Sequence, residues 1–412
     1  MTDTPYADRY SVVIVGGGAA GLSVAARLRR ARPELTIAVI EPSATHAYQP
    51  GWTLVGAGVM SLADTLKQEG GLIPQGVTWI RDRVRSFQPD AMTVTLENGS
   101  VVEYRRLVVC PGIQLNWDAI DGLKETLGRN GVASNYYRDG AAYMWECVRT
   151  FSGGTALFTQ PVMPIKCAGA PQKAVYLSCD HWRREGVLHR VKPQFCTAGV
   201  RLFGVAYYVP SLQKMIDYYG VEVAYKENLI AVNGQKKEAT FQIVGTDQTV
   251  VRPFDMLHVV PPQSAPDFVR SSPLADEAGW LDIDPVTMQH KKYATIFGLG
   301  DATNTPNAKT AAAVREQAPV VVKNLISSLS GEPLEGAYDG YGACPLTVSY
   351  GHVVLAEFTY GGKVVSSLRF DQRKPSRFAW NFKTRIFPRL YWYGMLKGID
   401  PKVSHKLVDT NS

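Results

Sequence analysis

Short apolar runs separated by glycine define the first fifty residues of the chain. Residues 11–15 (SVVIV) form a run of β-branched side chains, which is typical of a strand buried in a parallel sheet. Residues 16–21 (GGGAAG) follow, and then residues 22–30, whose alanine and leucine content predicts a helix. A second apolar run at residues 36–40 predicts the next strand. This order of elements predicts a βαβ unit.

The glycines of residues 16–21 have the spacing of a dinucleotide-binding turn. Gly16, Gly18 and Gly21 would let backbone N–H groups approach a pyrophosphate at the N-terminus of the helix. Glu41 ends the second strand, at the place where a carboxylate accepts hydrogen bonds from an adenosine ribose. Strand, turn, helix and acid in this register predict a dinucleotide site.

A distant segment indicates that the dinucleotide is FAD. Residues 293–304 (YATIFGLGDATN) predict a strand that ends in Gly-x-Gly-Asp, where Asp301 can bind the ribityl chain of a flavin. Residues 309–317 (KTAAAVREQ) predict a helix whose N-terminus would face the isoalloxazine. The partial positive charge there, together with Lys309, would favour an anionic reduced flavin.

The chain reads as an α/β protein with two Rossmann-like dinucleotide-binding domains of the disulfide-reductase-like kind, followed by a C-terminal membrane-interface region. Residues 1–150 and 281–330 are predicted to form the FAD-binding domain, residues 151–280 an inserted domain, and residues 331–412 the C-terminal region. The chain has 412 residues, of which 20% are charged and 45% are hydrophobic. This length and composition suit a soluble protein of two domains. Neither a metal cluster, a disulfide framework nor a nucleic-acid motif is predicted from the six cysteines and the other residues.

The inserted domain lacks a second glycine motif. The predicted strand at residues 155–159 leads into residues 160–164 (QPVMP), whose two prolines prevent the turn that cradles a pyrophosphate. A nicotinamide site is therefore not expected, and electrons must enter elsewhere. The candidates are Cys167, which stands where that motif would begin, and the distant Cys344; Lys166 and Lys173 flank Cys167 and would lower its pKa.

Nearly the whole chain, from residue 11 to about residue 398, resembles the sulfide:quinone oxidoreductase family, in the branch that includes the mitochondrial enzymes. The resemblance is carried by residues 41–50 (EPSATHAYQP), 52–58 (WTLVGAG), 166–173 (KCAGAPQK), 256–262 (MLHVVPP), 300–301 (GD), 309–314 (KTAAAV), 338–341 (YDGY), 344–346 (CPL) and 355–358 (LAEF). It implies an FAD-dependent enzyme that oxidises hydrogen sulfide, reduces a quinone and hands sulfane sulfur to a small acceptor such as glutathione, sulfite or another thiol.

The resemblance also implies residue roles. Cys167 and Cys344 match the two redox cysteines, which one or more sulfur atoms bridge in the resting family enzyme. Sulfide would attack the bridge and leave a persulfide, with Cys167 nearest the flavin and Cys344 carrying the outgoing sulfur. Further FAD contacts implied by the family pattern are Ala19, Ala20, Gln49 and Val84.

Residues 377–397 (RFAWNFKTRIFPRLYWYGMLK) combine bulky apolar side chains with basic charges only. Pro388 is predicted to break them into two short helices that lie in a membrane interface, although a domain-packing or dimer-forming helix pair would share this composition. The net charge of +7 agrees with a membrane-facing patch. Candidate quinone-pocket residues are Phe358, Lys383, Phe387 and Tyr391.

We expect a peripheral membrane protein on the cytoplasmic side of a bacterial inner membrane, because no signal or transit peptide is visible. Whether it forms a homo-oligomer stays open. Two alternative functions remain at this point. One is an NADH:quinone oxidoreductase of the same fold, and the other is a non-catalytic flavoprotein that stores or senses sulfur.

Overall fold

The first apolar run of the chain forms an inner strand of a seven-stranded sheet, which we name the first sheet. It is seen in a computed structural model that describes residues 9–368 and 370–410. Strands Thr93–Leu96 and Val84–Gln88 form an antiparallel extension at one side. The parallel strands are Val77–Ile80, Ile37–Ile40, Arg9–Val15, Val101–Val109 and Ile296–Gly298.

The central strands are apolar at successive positions because both faces of this sheet are covered. Val12, Val13 and Ile14 have no exposed surface, as expected for a strand of a parallel sheet with structure packed on each side. Helices Ala19–Ala31 and Ala311–Ser330, named the first helix and the long helix, contact each other and share the same core. The predicted βαβ unit is confirmed, with the helix beginning at Ala19 and not at residue 22.

A second parallel sheet follows, with its own core. Helices Arg138–Thr150, Ala170–Arg184 and Val209–Tyr219 pack in that core. Val132–Ala133 joins this sheet from within residues 1–150, the range predicted for the first part of the FAD domain. The strands, in order, are Val132–Ala133, Met256–His258, Gly154–Gln160, Val191–Thr197 and Glu222–Tyr225.

Smaller antiparallel pieces complete the fold. The hairpin formed by Gly342–Ser349 and His352–Phe358, the cysteine hairpin, carries Cys344 and packs against helix Ala170–Arg184. Short helices form at Trp52–Val55 and Asp267–Arg270. Further pairings join Thr45–Ala47 with Leu66–Gln68, Gln114–Leu115 with Gln263–Ser264, Val365–Ser366 with Lys406–Leu407, and Glu227–Asn233 with Glu238–Ile243 and Thr249–Pro253.

The long helix differs from its prediction over residues 309–317. It begins at Ala311, because the Thr310 hydroxyl caps it by accepting the N–H of Ala313 at 3.2 Å. It continues past Pro319 to Ser330 and ends at Gly331, whose φ of 75° is the left-handed conformation that glycine adopts freely. Lys309 therefore precedes the helix and is not part of it.

Residues 377–397, the C-terminal segment, are helical throughout. Ordinary turns at Arg377–Asn381 and Phe387–Arg389 alternate with wider π-type turns at Phe382–Ile386 and Leu390–Gly394. The prediction that Pro388 divides the segment is wrong. Pro388 lies in the first turn of Phe387–Arg389, and the wider turns on both sides change the hydrogen-bonding pattern, so its missing N–H does not interrupt the helical path.

The end of this segment is fixed to the rest of the protein. Tyr391, Trp392, Met395 and Leu396 are buried in the core of the first sheet. The carboxylate of Asp400, just beyond, forms ion pairs with Arg27 of the first helix and Arg315 of the long helix.

None of the described residues forms a helix with the length and apolarity that crossing a bilayer requires. The prediction that no signal or transit peptide is present concerns the N-terminal residues. Residues 1–8 lie outside the described part of the chain.

Replacing Gly21 by Ala should destabilise the fold, because a Cβ there would overlap the carbonyl oxygen of Gly16. Overpacking of this kind costs about 3 kcal/mol at the upper end of its usual range. Gly18→Ala is the matched control, since a Cβ at Gly18 meets nothing within 4 Å, and it should cost less than about 1 kcal/mol as a helix-cap change. Urea unfolding of the two variants checks the difference, and equal free energies of unfolding would contradict it.

Candidate active site

The predicted residues Gly16, Gly18, Ala19, Ala20 and Gly21 form one tight turn and the start of the first helix. Gly16 has a φ of 104°, and a Cβ there would come within 2.6 Å of the Cys110 carbonyl oxygen, so glycine is needed. The space beside Gly18, by contrast, is open. An open cradle at a helix N-terminus suits a phosphate group.

Glu41 lies directly beside this turn. Its Oε2 accepts the N–H of Gly17 at 2.9 Å and its Oε1 accepts the N–H of Ser43 at 2.8 Å. The Trp79 indole N–H donates to the Glu41 carbonyl at 2.8 Å and holds the residue in place. The carboxylate is thus held against the glycine turn, and its contact with a ribose stays a prediction.

The Gly300–Asp301 motif lies next to the start of the first helix, at Ala20. A Cβ on Gly300 would lie 3.6 Å from the Cβ of Ala20, and Gly300 N–H donates to Gln317 at 2.9 Å. Burial raises the pKa of Asp301, while the charges of Lys309 and Lys166 oppose that shift. Open glycine turn, ribose-side carboxylate and second acid together fit an FAD.

Lys309 holds the loop that follows Asp301. Its Nζ donates to the carbonyl oxygens of Asp301 and Thr303, both at 2.8 Å, and lies 4.2 Å from the centre of the Trp280 ring. Burial lowers the pKa of Lys309 to about 8, with Asp301 opposing. Its backbone carbonyl also accepts the N–H of Cys167 at 2.9 Å, which joins the flavin motif to the cysteine loop.

Cys167, in the loop before helix Ala170–Arg184, lies next to Cys344 on the cysteine hairpin. Their sulfur atoms lie 4.0 Å apart, about twice the ~2.05 Å of a disulfide bond, so they are adjacent but not bonded. A Cβ on Gly169 would come within 2.6 Å of the Cys344 sulfur. Glycine at this position therefore gives the second sulfur room to approach the first.

The two thiols have opposite acid strengths. The hydrogen bond from Cys344, followed by the charges of Lys173 and Lys383, outweighs burial and holds the pKa of Cys167 well below its usual range. The same hydrogen bond and burial raise the pKa of Cys344 well above it. Cys167 is therefore the stronger acid of the pair, and the Lys173 ammonium lies against its sulfur.

Lys173 is the cation in direct contact with the thiolate. Its Nζ donates to the Cys167 sulfur at 3.2 Å. Burial works against its charge, but Cys167 and Cys344 outweigh burial and the pKa of Lys173 is raised. Lys173 thus stays protonated beside the sulfur, as the sequence predicted.

Lys166, the other predicted cation, is hydrogen-bonded to two oxygen atoms and not to the sulfur. Its Nζ donates to Gln49 Oε1 at 2.8 Å and to the Tyr136 carbonyl at 3.1 Å. Burial lowers the pKa of Lys166 to about 8. Gln49, predicted as an FAD contact, consequently lies against the cysteine loop.

Sequence reasoning missed the contribution of Lys383 to this site. The side chain is buried, its Nζ donates to the Pro50 carbonyl at 2.8 Å, and its charge lowers the pKa of Cys167. Burial and then the neighbouring Lys173 lower the pKa of Lys383 to about 7. No local pattern could have shown this, because the contact depends on how the C-terminal segment packs.

The other predicted quinone residues have separate neighbours. Phe358 contacts Phe203, and Phe387 contacts Phe382. The Tyr391 hydroxyl forms a hydrogen bond with His46. Within the described residues, no hydrogen bond or ring contact joins the four candidates to one another, so a common quinone pocket stays a prediction. The adenine role of Val84, which begins a strand of the first sheet, also stays a prediction.

The remaining cysteines have surroundings that disfavour the thiolate. Burial raises the pKa of each of them: Cys110, Cys147, Cys179 and Cys196. Within residues 9–368 and 370–410, no group of three or more His, Cys, Asp and Glu could hold a metal ion. Among the six cysteines, Cys167 is the one whose pKa is lowered.

Comparison with known proteins identifies relatives along almost the entire chain. The family of pyridine nucleotide-disulphide oxidoreductases matches residues 10–138. The mitochondrial sulfide:quinone oxidoreductase of Dictyostelium discoideum is 45% identical over 94% of this chain and 86% of its own. The mitochondrial sulfide:quinone oxidoreductase of Mus musculus is 42% identical over 95% of this chain and 87% of its own.

Among solved structures, the sulfide:quinone oxidoreductase of Aquifex aeolicus superposes with a TM-score of 0.77, covering 96% of this chain and 93% of its own. At 20% identity it shows the fold, an α/β flavoprotein disulfide-reductase fold with parallel Rossmann-like sheets. That part of the predicted fold class is confirmed.

Replacing Lys173 by Gln should raise the pKa of Cys167 by about one unit or more, because the nearest positive charge is removed. The pH dependence of alkylation of Cys167 in the reduced protein measures this. A lowered pKa keeps the wild-type thiolate reactive below the ordinary thiol pKa of ~8.5, and the variant curve should move up towards that value.

Lys166→Gln is the matched control for this measurement. Its Nζ is hydrogen-bonded to Gln49, and it acts on Cys167 through its charge alone, so the alkylation curve should shift less than that of Lys173→Gln. Identical curves for Lys173→Gln and the wild type would contradict the assignment of Lys173.

Proposed function

The chain belongs to the sulfide:quinone oxidoreductase family, and we propose that Cys167 and Cys344 are the residues through which it oxidises sulfide. The activity of this enzyme is the oxidation of hydrogen sulfide with reduction of a quinone. This family membership rules against the two alternatives, an NADH:quinone oxidoreductase and a non-catalytic flavoprotein that stores or senses sulfur. The observation that carries the residue assignment is the meeting of the two sulfurs beside Lys173.

The unequal pKa values of the two thiols support a direction for the first step. Hydrosulfide attacks the Cys344 sulfur of an oxidised bridge, and the bond to Cys167 breaks. Cys344 keeps the incoming sulfur as a persulfide, and Cys167 leaves with the electron pair as a thiolate. A thiol of low pKa leaves fastest, which favours Cys167 as the leaving group.

Buried cations prepare the site for anions. Lys173 and Lys383 lie close enough to lower the pKa of Cys167, and their charges would attract hydrosulfide in the same way. They also stabilise the thiolate released by the attack. Neither lysine needs to move, since the first is hydrogen-bonded to the sulfur and the second to a backbone carbonyl.

The residues that would hold FAD are the glycine turn, Glu41 and Asp301, with Lys309 fixing the loop. When bound, FAD supplies the chemistry that accepts two electrons from the thiolate side and passes them to the quinone. The N–H of Cys167 bonds to the carbonyl of Lys309, so the thiolate is held at the flavin motif.

Removal of the sulfur completes the cycle. A nucleophilic acceptor such as glutathione, sulfite or another thiol takes the outer sulfur of the persulfide and leaves a Cys344 thiolate. The bridge re-forms when the Cys344 thiolate bonds to the Cys167 sulfur, and the two electrons released from Cys167 would pass to bound FAD. Because sulfite and thiolates are anions, the same lysine charges favour their approach.

The C-terminal segment supports attachment to a membrane surface. Phe378, Ile386 and Tyr393 are 53%, 42% and 63% exposed, although large apolar side chains of a helix usually face the core. Exposed cations accompany them at Arg377, Arg385, Arg389 and Lys397. Aromatic and basic side chains on one segment suit the headgroup region of an anionic bilayer.

The relatives with 42–45% identity are mitochondrial enzymes, so they lend no support to the predicted bacterial inner membrane. We therefore propose only that the protein lies on a membrane surface and reduces a quinone there.

Replacing either Cys167 or Cys344 by Ser should abolish sulfide-dependent quinone reduction while FAD stays bound, because an alcohol cannot form the sulfur bridge. Steady-state quinone reduction and the flavin spectrum measure the two effects. Cys147→Ser is the control, since this half-buried thiol lies outside the pair, and it should retain activity. Turnover in both active-site variants would refute the cysteine relay.

Replacing Phe378, Ile386 and Tyr393 together by Ser should weaken binding to vesicles containing anionic lipid by at least about tenfold, because each loses apolar area that the interface would bury. Co-sedimentation measures the binding. Replacement of Val101, Val200 and Val251 by Ser is the control, since these side chains are 57%, 69% and 55% exposed elsewhere on the surface. Equal loss of binding in both triple variants would contradict a specific membrane face.

A further inference from the structure

The backbone of Cys167 has an unusual conformation. Its φ is 49°, in the left-handed region, whereas a cysteine normally has a negative φ. This conformation costs free energy in any residue with a Cβ, because the Cβ comes too close to the following carbonyl oxygen. Such strain persists only where the surroundings hold it, and it concentrates at functional sites. The strained residue here is the one that carries the sulfur of lowered pKa.

Three consecutive backbone groups of the cysteine loop have partners from other parts of the fold. The N–H of Lys166 donates to the side-chain oxygen of Gln263 at 2.8 Å. The N–H of Cys167 donates to the Lys309 carbonyl at 2.9 Å. The Cys167 carbonyl accepts an N–H of the following helix at 2.7 Å and the Tyr136 hydroxyl at 3.3 Å. These bonds fix the backbone on both sides of the strained residue.

Two of these partners, Gln263 and Tyr136, act through their side chains. Both side chains are buried, and Tyr136 belongs to a small apolar cluster that packs against Cys167. Burial, followed by the charges of Cys167 and Cys344, raises the pKa of Tyr136 well above its usual value. The Tyr136 hydroxyl therefore stays protonated and can donate to the loop.

The position of the Cys167 sulfur depends on this backbone. Lys173 Nζ lies 3.2 Å from the sulfur, and the Cys344 sulfur lies 4.0 Å from it. A return of Cys167 to a negative φ would turn its Cα–Cβ bond relative to the rest of the loop and carry the sulfur out of these contacts. The helix that bears Lys173 and the hairpin that bears Cys344 could not follow, because both pack in the core of the second sheet.

We propose that Gln263 and Tyr136 are positioning residues, which hold Cys167 in the left-handed conformation and so keep its sulfur in place while the bridge is open. Both side chains bond to backbone atoms of the loop, so their effect on the reaction passes through the backbone. An open bridge leaves the sulfur without a covalent link to Cys344, and the loop alone then determines where it lies. This inference rests on the proposed cysteine relay.

The pKa of Cys167 reports where its sulfur lies. The charged and titratable groups that act on it, besides Tyr136, are Cys344 on the hairpin, Lys173 on the helix, Lys383 on the C-terminal segment, Lys166 in the loop and Asp301 at the flavin motif. None of these five groups is altered in the variants below. A sulfur that leaves Lys173 and Cys344 loses the contacts that stabilise its thiolate, so its pKa rises.

Gln263→Leu and Tyr136→Phe should each raise the pKa of Cys167 by about half a unit or more, because the loop relaxes. Alkylation of the reduced, full-length enzyme over a range of pH measures this, with the Cys167 peptide followed by mass spectrometry. Tyr219→Phe is the matched control. This buried tyrosine donates to the Val348 carbonyl at 3.0 Å, so its variant loses the same kind of hydrogen bond and should keep the wild-type curve.

The outcomes separate cleanly. A folded variant of Gln263 or Tyr136 that keeps the wild-type curve overturns the inference, whatever its free energy of unfolding. Equal shifts in Tyr136→Phe and Tyr219→Phe also overturn it, because the effect would then belong to any buried hydrogen bond. The expected shifts, together with sulfide turnover in both cysteine-to-serine variants, would support the role of the loop and refute the proposed relay instead.

Discussion

A buried thiolate held by a cation and a thiol is the interaction on which the rest of this structure depends. A charge removed from water needs partners close by, and Cys167 finds them in Cys344 and Lys173. Lys173 lies on the helix that begins just after Cys167, whereas Cys344 comes from the cysteine hairpin, 177 residues further along the chain. The packing of the cysteine hairpin on helix Ala170–Arg184 is therefore a condition for the chemistry as much as for stability.

Two kinds of glycine serve that arrangement. Gly16 permits the sharp turn at the nucleotide site, where its φ of 104° excludes other residues. Gly169 instead acts by its size, because any side chain there would displace the Cys344 sulfur. The first was visible as a spaced motif, and the second became meaningful only once its neighbour across the fold was known.

Local patterns predicted those parts of the protein that local physics determines. The strand at residues 11–15 and the glycine turn were found because a buried parallel strand is a continuous apolar run and a phosphate turn needs glycines at fixed spacing. The long helix extends beyond the predicted residues 309–317 and continues through Pro319, and the C-terminal segment continues through Pro388. Sequence alone does not predict this, because tolerance of proline depends on the turns around it. The place of Lys383 beside Cys167 and the left-handed backbone of Cys167 depend on tertiary packing and have no signature in sequence.

The ion pairs of Asp400 have a mechanical consequence. Arg27 and Arg315 attach the end of the C-terminal segment to both helices that cover the first sheet. These ion pairs, together with four buried side chains of the segment itself, fix it to the nucleotide domain. If it adsorbs to a bilayer, the angle at which it lies is transmitted to the whole molecule, and the cysteine loop turns with it. The lipid surface would then aim the enzyme as well as hold it.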